Sequence, residues 1–307
     1  MTDYEDKIKF DYAQVGGVRL HYATAGTGEK LVLLLHGFPE FWYSWRHQIV
    51  ALSDEYTVVA PDLRGYNLSD KPERAEDYRI EKLVDDVTGL IRYFGCSQAA
   101  VVGHDWGAII AWAAAMRNPE MLWKVGALQV PPMAAWRNNL SIRQALASWY
   151  MLFFQLPVVP EWLLSRNDFA MLENNLRSVS AADGGDGSIS EDVFTEKDIA
   201  EFKAAWNRSD GLSGAINYYR ANFPRLLFSA QREEAAAATT TEPDKIKVPS
   251  LFIYGEKDRY VLRETVRNIK EFIDAPFEEF FIPPSGHWVQ QEAPETVTAI
   301  LREFLAG

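Results

Sequence analysis

The chain has 307 residues, 48% of them apolar and 24% charged, which excludes a disordered, collagen-like or small disulfide-stapled protein. A chain of this length buries roughly 75% of its unfolded surface, so its core needs no staples. The 31 Lys and Arg against 43 Asp and Glu leave a net charge of −12, which disfavours nucleic acid and anionic membrane surfaces as partners. The single cysteine, Cys96, closes no internal disulfide, and the five histidines lack metal-site spacing, so neither metal nor cofactor is expected. No run approaches the roughly 18 apolar residues of a membrane span, and Met1 to Asp11 is charged rather than leader-like. A cytoplasmic protein is the expectation.

In chain order, Val15 to Tyr22 alternates beside a turn, and Leu31 to His36 reads as a buried strand ending in the loop His36-Gly37-Phe38-Pro39. A helix is expected from Trp42 to Leu52. Strands follow at Tyr56 to Pro61, Ala99 to Gly103 and Val125 to Val130, with helical patterns at Ile80 to Phe94 and Ala108 to Met116 between them. Strand and helix alternating in this way predict a mostly parallel sheet with helices on both faces.

After Pro131-Pro132 the pattern changes. Residues 134–243 carry helix-like aromatic stretches, a polar gap at 182–188 and an alanine and threonine tract at 233–241. The strand pattern then resumes at Pro249 to Tyr254, with a helix near Leu262 to Phe272, a strand at Phe277 to Pro283 and a last helix from Pro294 to Leu305. The reading is an α/β core in two parts, 1–133 and 244–307, with a helical cap inserted at 134–243. Sites in such sheets lie at the carboxyl ends of the strands, where an inserted cap would enclose them.

The sharpest local feature is Gly103-His104-Asp105-Trp106-Gly107, set between a strand and a small-residue helix. It has the form of a nucleophile elbow with Asp in place of Ser; the bland alternative is an aspartate capping a helix. A carboxylate that attacks carbon leaves an ester, which a base-activated water must hydrolyse. His287, after the last strand, is the candidate base. Asp258 is the candidate orienting acid, with Glu256 its nearby competitor, and the order Asp105, Asp258, His287 matches the order expected behind such an elbow. The backbone N–H groups of Phe38 and Trp106 are placed to hold an oxyanion. His36 and His104 are expected to support loops, and His21 and His47 carry no special signal.

His36-Gly37-Phe38-Pro39, Asp62 to Asp70, Gly103 to Gly107 and Gly286-His287-Trp288 resemble the motifs of the α/β-hydrolase superfamily, in its epoxide hydrolase branch. The core motifs alone are shared with haloalkane and fluoroacetate dehalogenases. In the cap, the family's two epoxide-binding tyrosines are matched by Tyr150, in Tyr150-Met-Leu-Phe-Phe154-Gln155, and by Tyr219, in Asn217-Tyr218-Tyr219-Arg220; Trp149 and Tyr218 are the alternatives one register away. The resemblance implies a cofactor-independent epoxide hydrolase, with water as co-substrate and a haloalkane or haloacid dehalogenase as the alternative. A non-enzymatic scaffold would be expected to lack the nucleophile, base or oxyanion loop, and all three are in place.

Trp42, Trp149, Phe153, Phe154 and Trp288 suggest a largely apolar pocket and a small neutral epoxide. The aromatic-rich cap permits a homodimer without requiring one.

Overall fold

The computed structural model describes residues 7–180, 193–223 and 245–307. The polar gap at 182–188 and the tract at 233–241 lie outside the described residues. The strands are β1 (Lys9–Val15), β2 (Val18–Ala25), β3 (Leu31–Leu35), β4 (Thr57–Pro61), β5 (Ala99–His104), β6 (Leu122–Leu128), β7 (Ser250–Gly255) and β8 (Phe277–Ile282). They form one sheet in the order β1-β2-β4-β3-β5-β6-β7-β8. Every pairing from β4 to β8 is parallel, while β1 with β2 and β2 with β4 are antiparallel.

β3 shows why the sheet is covered twice. All five of its residues are buried, with Leu31, Leu33 and Leu35 facing one core and Val32 and Leu34 the other. Helices α1 (Arg46–Leu52) and α11 (Pro294–Ala306) supply Ile49, Leu52, Val297 and Leu301 to the second core. Helices α2 (Ile80–Tyr93) and α3 (Trp106–Arg117) supply Leu83, Val87, Ile110 and Ala111 to the first.

Between β6 and β7 the chain builds the cap from α4 (Met133–Asn138), α5 (Ile142–Ala147), α6 (Trp149–Phe153), α7 (Val159–Ser180), α8 (Glu196–Trp206) and α9 (211–223). α7 is kinked where Asn167, Asp168 and Phe169 take positive φ. α8 opens with a capping box, Thr195 and Asp198 each accepting the other's backbone N–H.

Two expectations differ from the structure, and one strand was not anticipated. β1 is a strand although its sequence shows no apolar run, because it is an edge strand with only Ala13 and Val15 buried. The expected helix from Leu262 to Phe272 is two 3₁₀ turns, Arg263–Val266 and Ile269–Phe272, parted by Asn268 in the left-handed region. The segment from Trp42 begins as a 3₁₀ turn, Trp42–Trp45, before α1. Helix α10 (Val289–Glu292) is a single turn after the His287 loop. Among the described residues no helix is long and apolar enough to cross a membrane.

Candidate active site

β5 is fully buried and delivers Asp105 to the carboxyl edge of the sheet. There the chain reverses into α3 with Asp105 at φ 52° and ψ −115°, a conformation that non-glycine residues seldom adopt. Glycine is required on both sides: a Cβ on Gly103 would overlap the Gly107 carbonyl, and one on Gly107 would overlap the Leu35 carbonyl. The Asp105 backbone carbonyl accepts from Ala108 and Ile109, but its carboxylate makes no capping hydrogen bond. That removes the helix-cap explanation for the aspartate.

The carboxylate instead faces groups brought from other strand ends. Phe38, after β3, donates its N–H to Asp105 Oδ1 at 2.9 Å. Trp106 is the first residue of α3, where helix amides have no intrahelical acceptor. His287, after β8, places Nε2 3.8 Å from Asp105 Oδ2.

The other ring nitrogen of His287 lies 2.8 Å from Asp258 Oδ2. Asp258 is itself fixed, because its Oδ1 accepts from the Tyr260 and Val261 amides at 2.7 and 3.0 Å. Glu256 is exposed and faces Arg263 across 3.8 Å. Burial by itself would lower the His287 pKa, but Asp258, Asp105 and Glu40 together raise it to about 9.

His104 is buried between Glu40 Oε2 and the His287 backbone carbonyl, each at 2.7 Å. His36 accepts the Leu63 N–H at 3.0 Å and reaches the Gly37 carbonyl at 2.9 Å. Both histidines therefore hold loops around the site. Glu40 also accepts from Gln290 and Gln291. Burial opposes its charge, and His104 beside it still holds the carboxyl below its usual range.

A cavity of about 570 Å³ opens above Asp105 and His287, lined among others by Phe38, Trp149, Tyr150, Phe153, Phe154, Tyr219 and Trp288. A smaller cavity of about 50 Å³ adjoins it, lined by Trp106, Ile109, Val130, Met133 and Trp136. Asp105, Tyr150, Tyr219 and Tyr260 line both.

Tyr150 and Tyr219 meet edge to face with centroids 5.9 Å apart. Burial, reinforced by the Asp105 charge, pushes both phenols well above their usual pKa; Trp106 pulls against this at Tyr219 through a hydrogen bond. Tyr218 faces elsewhere and donates to the Arg64 carbonyl at 2.8 Å. Helical phase thus selects Tyr219 for the cavity.

One expected lining residue lies elsewhere. Trp42 packs edge-on against Phe10 at 5.0 Å, and its backbone N–H donates to Asp62 Oδ1 at 3.1 Å, so its ring lies by the edge of the sheet rather than in the cavity. Conversely, Tyr260 was not singled out by the sequence. Its ring stands 5.0 Å from that of His287 and 5.7 Å from Tyr150, and its hydroxyl donates to Asn175 of α7. Its only sequence signal is its place two residues after Asp258. Among the described residues no cluster of three His, Cys, Asp or Glu side chains could hold a metal ion.

The family model of the alpha/beta hydrolase fold matches residues 30–294. The chain is 36% identical over 292 residues to Epoxide hydrolase 3 of Xenopus tropicalis, covering 94% of this chain and 75% of the relative. It is 36% identical over 318 residues to Epoxide hydrolase A of Mycobacterium tuberculosis, covering 95% of each. The crystal structure of the Bacillus megaterium epoxide hydrolase in complex with an inhibitor superposes with a TM-score of 0.82 at 32% identity, covering 97% of this chain and 100% of the other. The fold-family match and relatives at 32–36% identity, matched over three quarters or more of their length, place this chain in the epoxide hydrolase family of the α/β-hydrolase fold.

Proposed function

We propose that this hydrolase converts an epoxide and water into a vicinal diol through an ester on Asp105. The observation that carries this is the pair of phenols, Tyr150 and Tyr219, lining the same cavity as Asp105 and His287. A departing alkoxide is strongly basic and needs a proton, whereas a departing halide needs only its charge stabilised. Phenols held neutral by burial keep that proton available at ordinary pH.

In the first step the free Oδ2 of Asp105 attacks one ring carbon while Oδ1 stays on the Phe38 N–H. The carbon–oxygen bond of the ring breaks, and its electrons leave on oxygen, which takes a proton from Tyr150 or Tyr219. The product is a neutral hydroxyalkyl ester of Asp105.

Esterification removes the Asp105 charge, one of those raising the His287 pKa. The imidazolium then gives up its proton more readily, passing it to the tyrosinate left by ring opening, and becomes a base. Water transfers a proton to Nε2 and adds to the ester carbonyl carbon, placing negative charge on Oδ1 against the Phe38 and Trp106 amides. Asp258 stabilises the imidazolium at Nδ1. Collapse breaks the ester bond; the departing alkoxide takes the proton of the newly formed carboxyl group, so the diol leaves, the Asp105 carboxylate is restored, and His287 keeps the proton taken from water.

The apolar lining and the second lobe beside Asp105 suit a small, neutral, largely apolar epoxide with substituents directed to both sides of the ring. The test is the intact mass of the His287→Gln protein exposed to a panel of epoxides and haloalkanes, with Asp105→Asn, His287→Gln as control. The expected result is a control-sensitive gain equal to a whole epoxide. A gain equal to a haloalkane less hydrogen halide, without any epoxide adduct, would make the protein a dehalogenase.

A further inference from the structure

His287 is held at three points: its ring by Asp258, its backbone carbonyl by His104, and its neighbour Gly286 by the Gln129 side chain, which donates to the Gly286 carbonyl. A fourth holder comes from α10. Glu292 turns back over its own helical turn, and its two carboxylate oxygens accept from the amides on either side of the base. Gly286 N–H reaches Oε2 at 2.5 Å, and Trp288 N–H reaches Oε1 at 2.9 Å.

We propose that Glu292 is a positioning residue for the second half of the reaction: by clamping the amides of residues 286 and 288 it fixes the direction in which His287 presents Nε2 to the hydrolytic water. The role rests on His287 acting as the base of ester hydrolysis. Glu292 does not line either cavity that holds Asp105, so it acts through His287 and not on substrate.

The geometry explains why a carboxylate is needed. One amide on each oxygen fixes both the position and the tilt of the loop, as a single acceptor would not. There is little slack to absorb an error, because a Cβ on neighbouring Gly255 would overlap the Gly286 carbonyl. Glutamine at 292 keeps the size of the side chain but offers one amide an acceptor and turns an NH₂ toward the other, leaving a donor facing a donor. Aspartate keeps the charge and both acceptors but is one methylene shorter.

Ring opening does not require His287 to accept a proton; ester hydrolysis does. The two steps therefore separate a positioning role from general damage. Burial lifts the Glu292 carboxyl to about 7, against the pull of the Gly286 and Trp288 amides and of His287, while Asp258 adds to the rise. The measurement is accordingly made at about pH 8.5, where the carboxylate form prevails.

The experiment is rapid-quench mass spectrometry on wild type, Glu292→Gln and Glu292→Asp, following formation and decay of the epoxide adduct in a single turnover. In Glu292→Gln the adduct should form within about twofold of the wild-type rate and decay about 10–100-fold more slowly, the cost of misplacing a catalytic group by a fraction of an ångström to about an ångström. Glu292→Asp should recover part of that loss, and it carries the test alone if the glutamine variant does not fold.

Decay at the wild-type rate in a folded variant would overturn the proposal. So would an equal fall in both steps, which marks a structural defect. Absence of any epoxide adduct on His287→Gln is a separate result, visible before Glu292 is changed; it would overturn the ester mechanism and this role with it.

Discussion

His287 Nε2 stands 3.8 Å from Asp105 Oδ2, beyond hydrogen-bond distance, while Asp105 Oδ1 is tied to the Phe38 N–H at 2.9 Å. The two carboxylate oxygens therefore face different tasks. In the proposed mechanism Oδ1 becomes the ester carbonyl and later the oxyanion, and Oδ2 makes the attack. The imidazole is close enough to feel the aspartate charge but does not bind Oδ2.

That separation predicts a titration. Removing the Asp105 charge takes away one of the groups that raise the His287 pKa to about 9, so Asp105→Asn should lower it. Imidazole proton resonances followed through the pH range would show the shift. An unchanged midpoint would mean that the nucleophile does not set the protonation of its partner.

The same proton affects stability. The folded value of about 9 lies above the 6.5 of a free histidine, so its stabilising contribution is complete below about pH 6.5 and is lost as pH rises through about 9. A shift of that size corresponds to about 3 kcal/mol. Urea unfolding of wild type should show this decline between those limits, and His287→Gln should lack it. Parallel curves for the two proteins would contradict the raised pKa.

The tyrosine assignments predict a contrast between adjacent residues of α9. Tyr219→Phe and Tyr150→Phe should each slow adduct formation by about 10–100-fold, since each removes one proton donor of the ring-opening step. The double variant should be nearly inactive on epoxides. Tyr218→Phe should leave the chemistry within about twofold and cost about 1 kcal/mol of stability, because its hydroxyl donates to the buried Arg64 carbonyl. Stopped-flow kinetics on the three single variants separates these outcomes, and a catalytic loss at Tyr218 would reverse the register.

Asp258 and Glu256 form a second such contrast. Asp258→Asn presents an amide whose NH₂ group can compete for the His287 Nδ1 position, so the imidazole loses the partner that fixes its tautomer; turnover should fall by about 10³-fold or more. Glu256→Gln, at an exposed carboxylate near Arg263, should change turnover less than about twofold. Steady-state rates at one pH suffice for the comparison.

How far these assignments could be read in the sequence depends on the reach of each contact. Gly103-x-Asp105-x-Gly107 was legible because strand and helix approach so closely that only glycine fits, a constraint written into consecutive residues. Asp258 and His287 were legible as residues following strands. The choice of Tyr219 over Tyr218 came from the motif match, and the structure supplies its physical reason in the phase of α9. β1 was not legible, because an edge strand buries too little to leave an apolar pattern. Aromatic character alone places Trp42 in the cavity, whereas its ring packs against Phe10, Phe41 and Tyr43 outside it. The bond from Tyr260 to Asn175 joins residues 85 positions apart and leaves no local signature.

Gly37 gives the last prediction, because it connects the oxyanion loop to the nucleophile by shape alone. A Cβ at this position would fall 2.6 Å from Asp105 Oδ1 and closer still to the Asp105 Cβ. Neither neighbour can yield freely: Asp105 is pinned by its backbone in the elbow, and the loop is pinned by the Gly37 N–H, which lies 3.3 Å from Glu40 Oε2. Gly37→Ala must therefore push the carboxylate off the Phe38 amide or move the loop itself, and either change spoils the alignment of Oδ1 for both half-reactions. Adduct formation and decay should both fall by about 10²-fold, unlike the selective slowing of decay expected for Glu292→Gln. Far-ultraviolet circular dichroism would establish that the variant is folded. Wild-type rates in a folded Gly37→Ala protein would show that the loop can retreat without loss, and that the bond from Phe38 to Asp105 does not set the rate of either step.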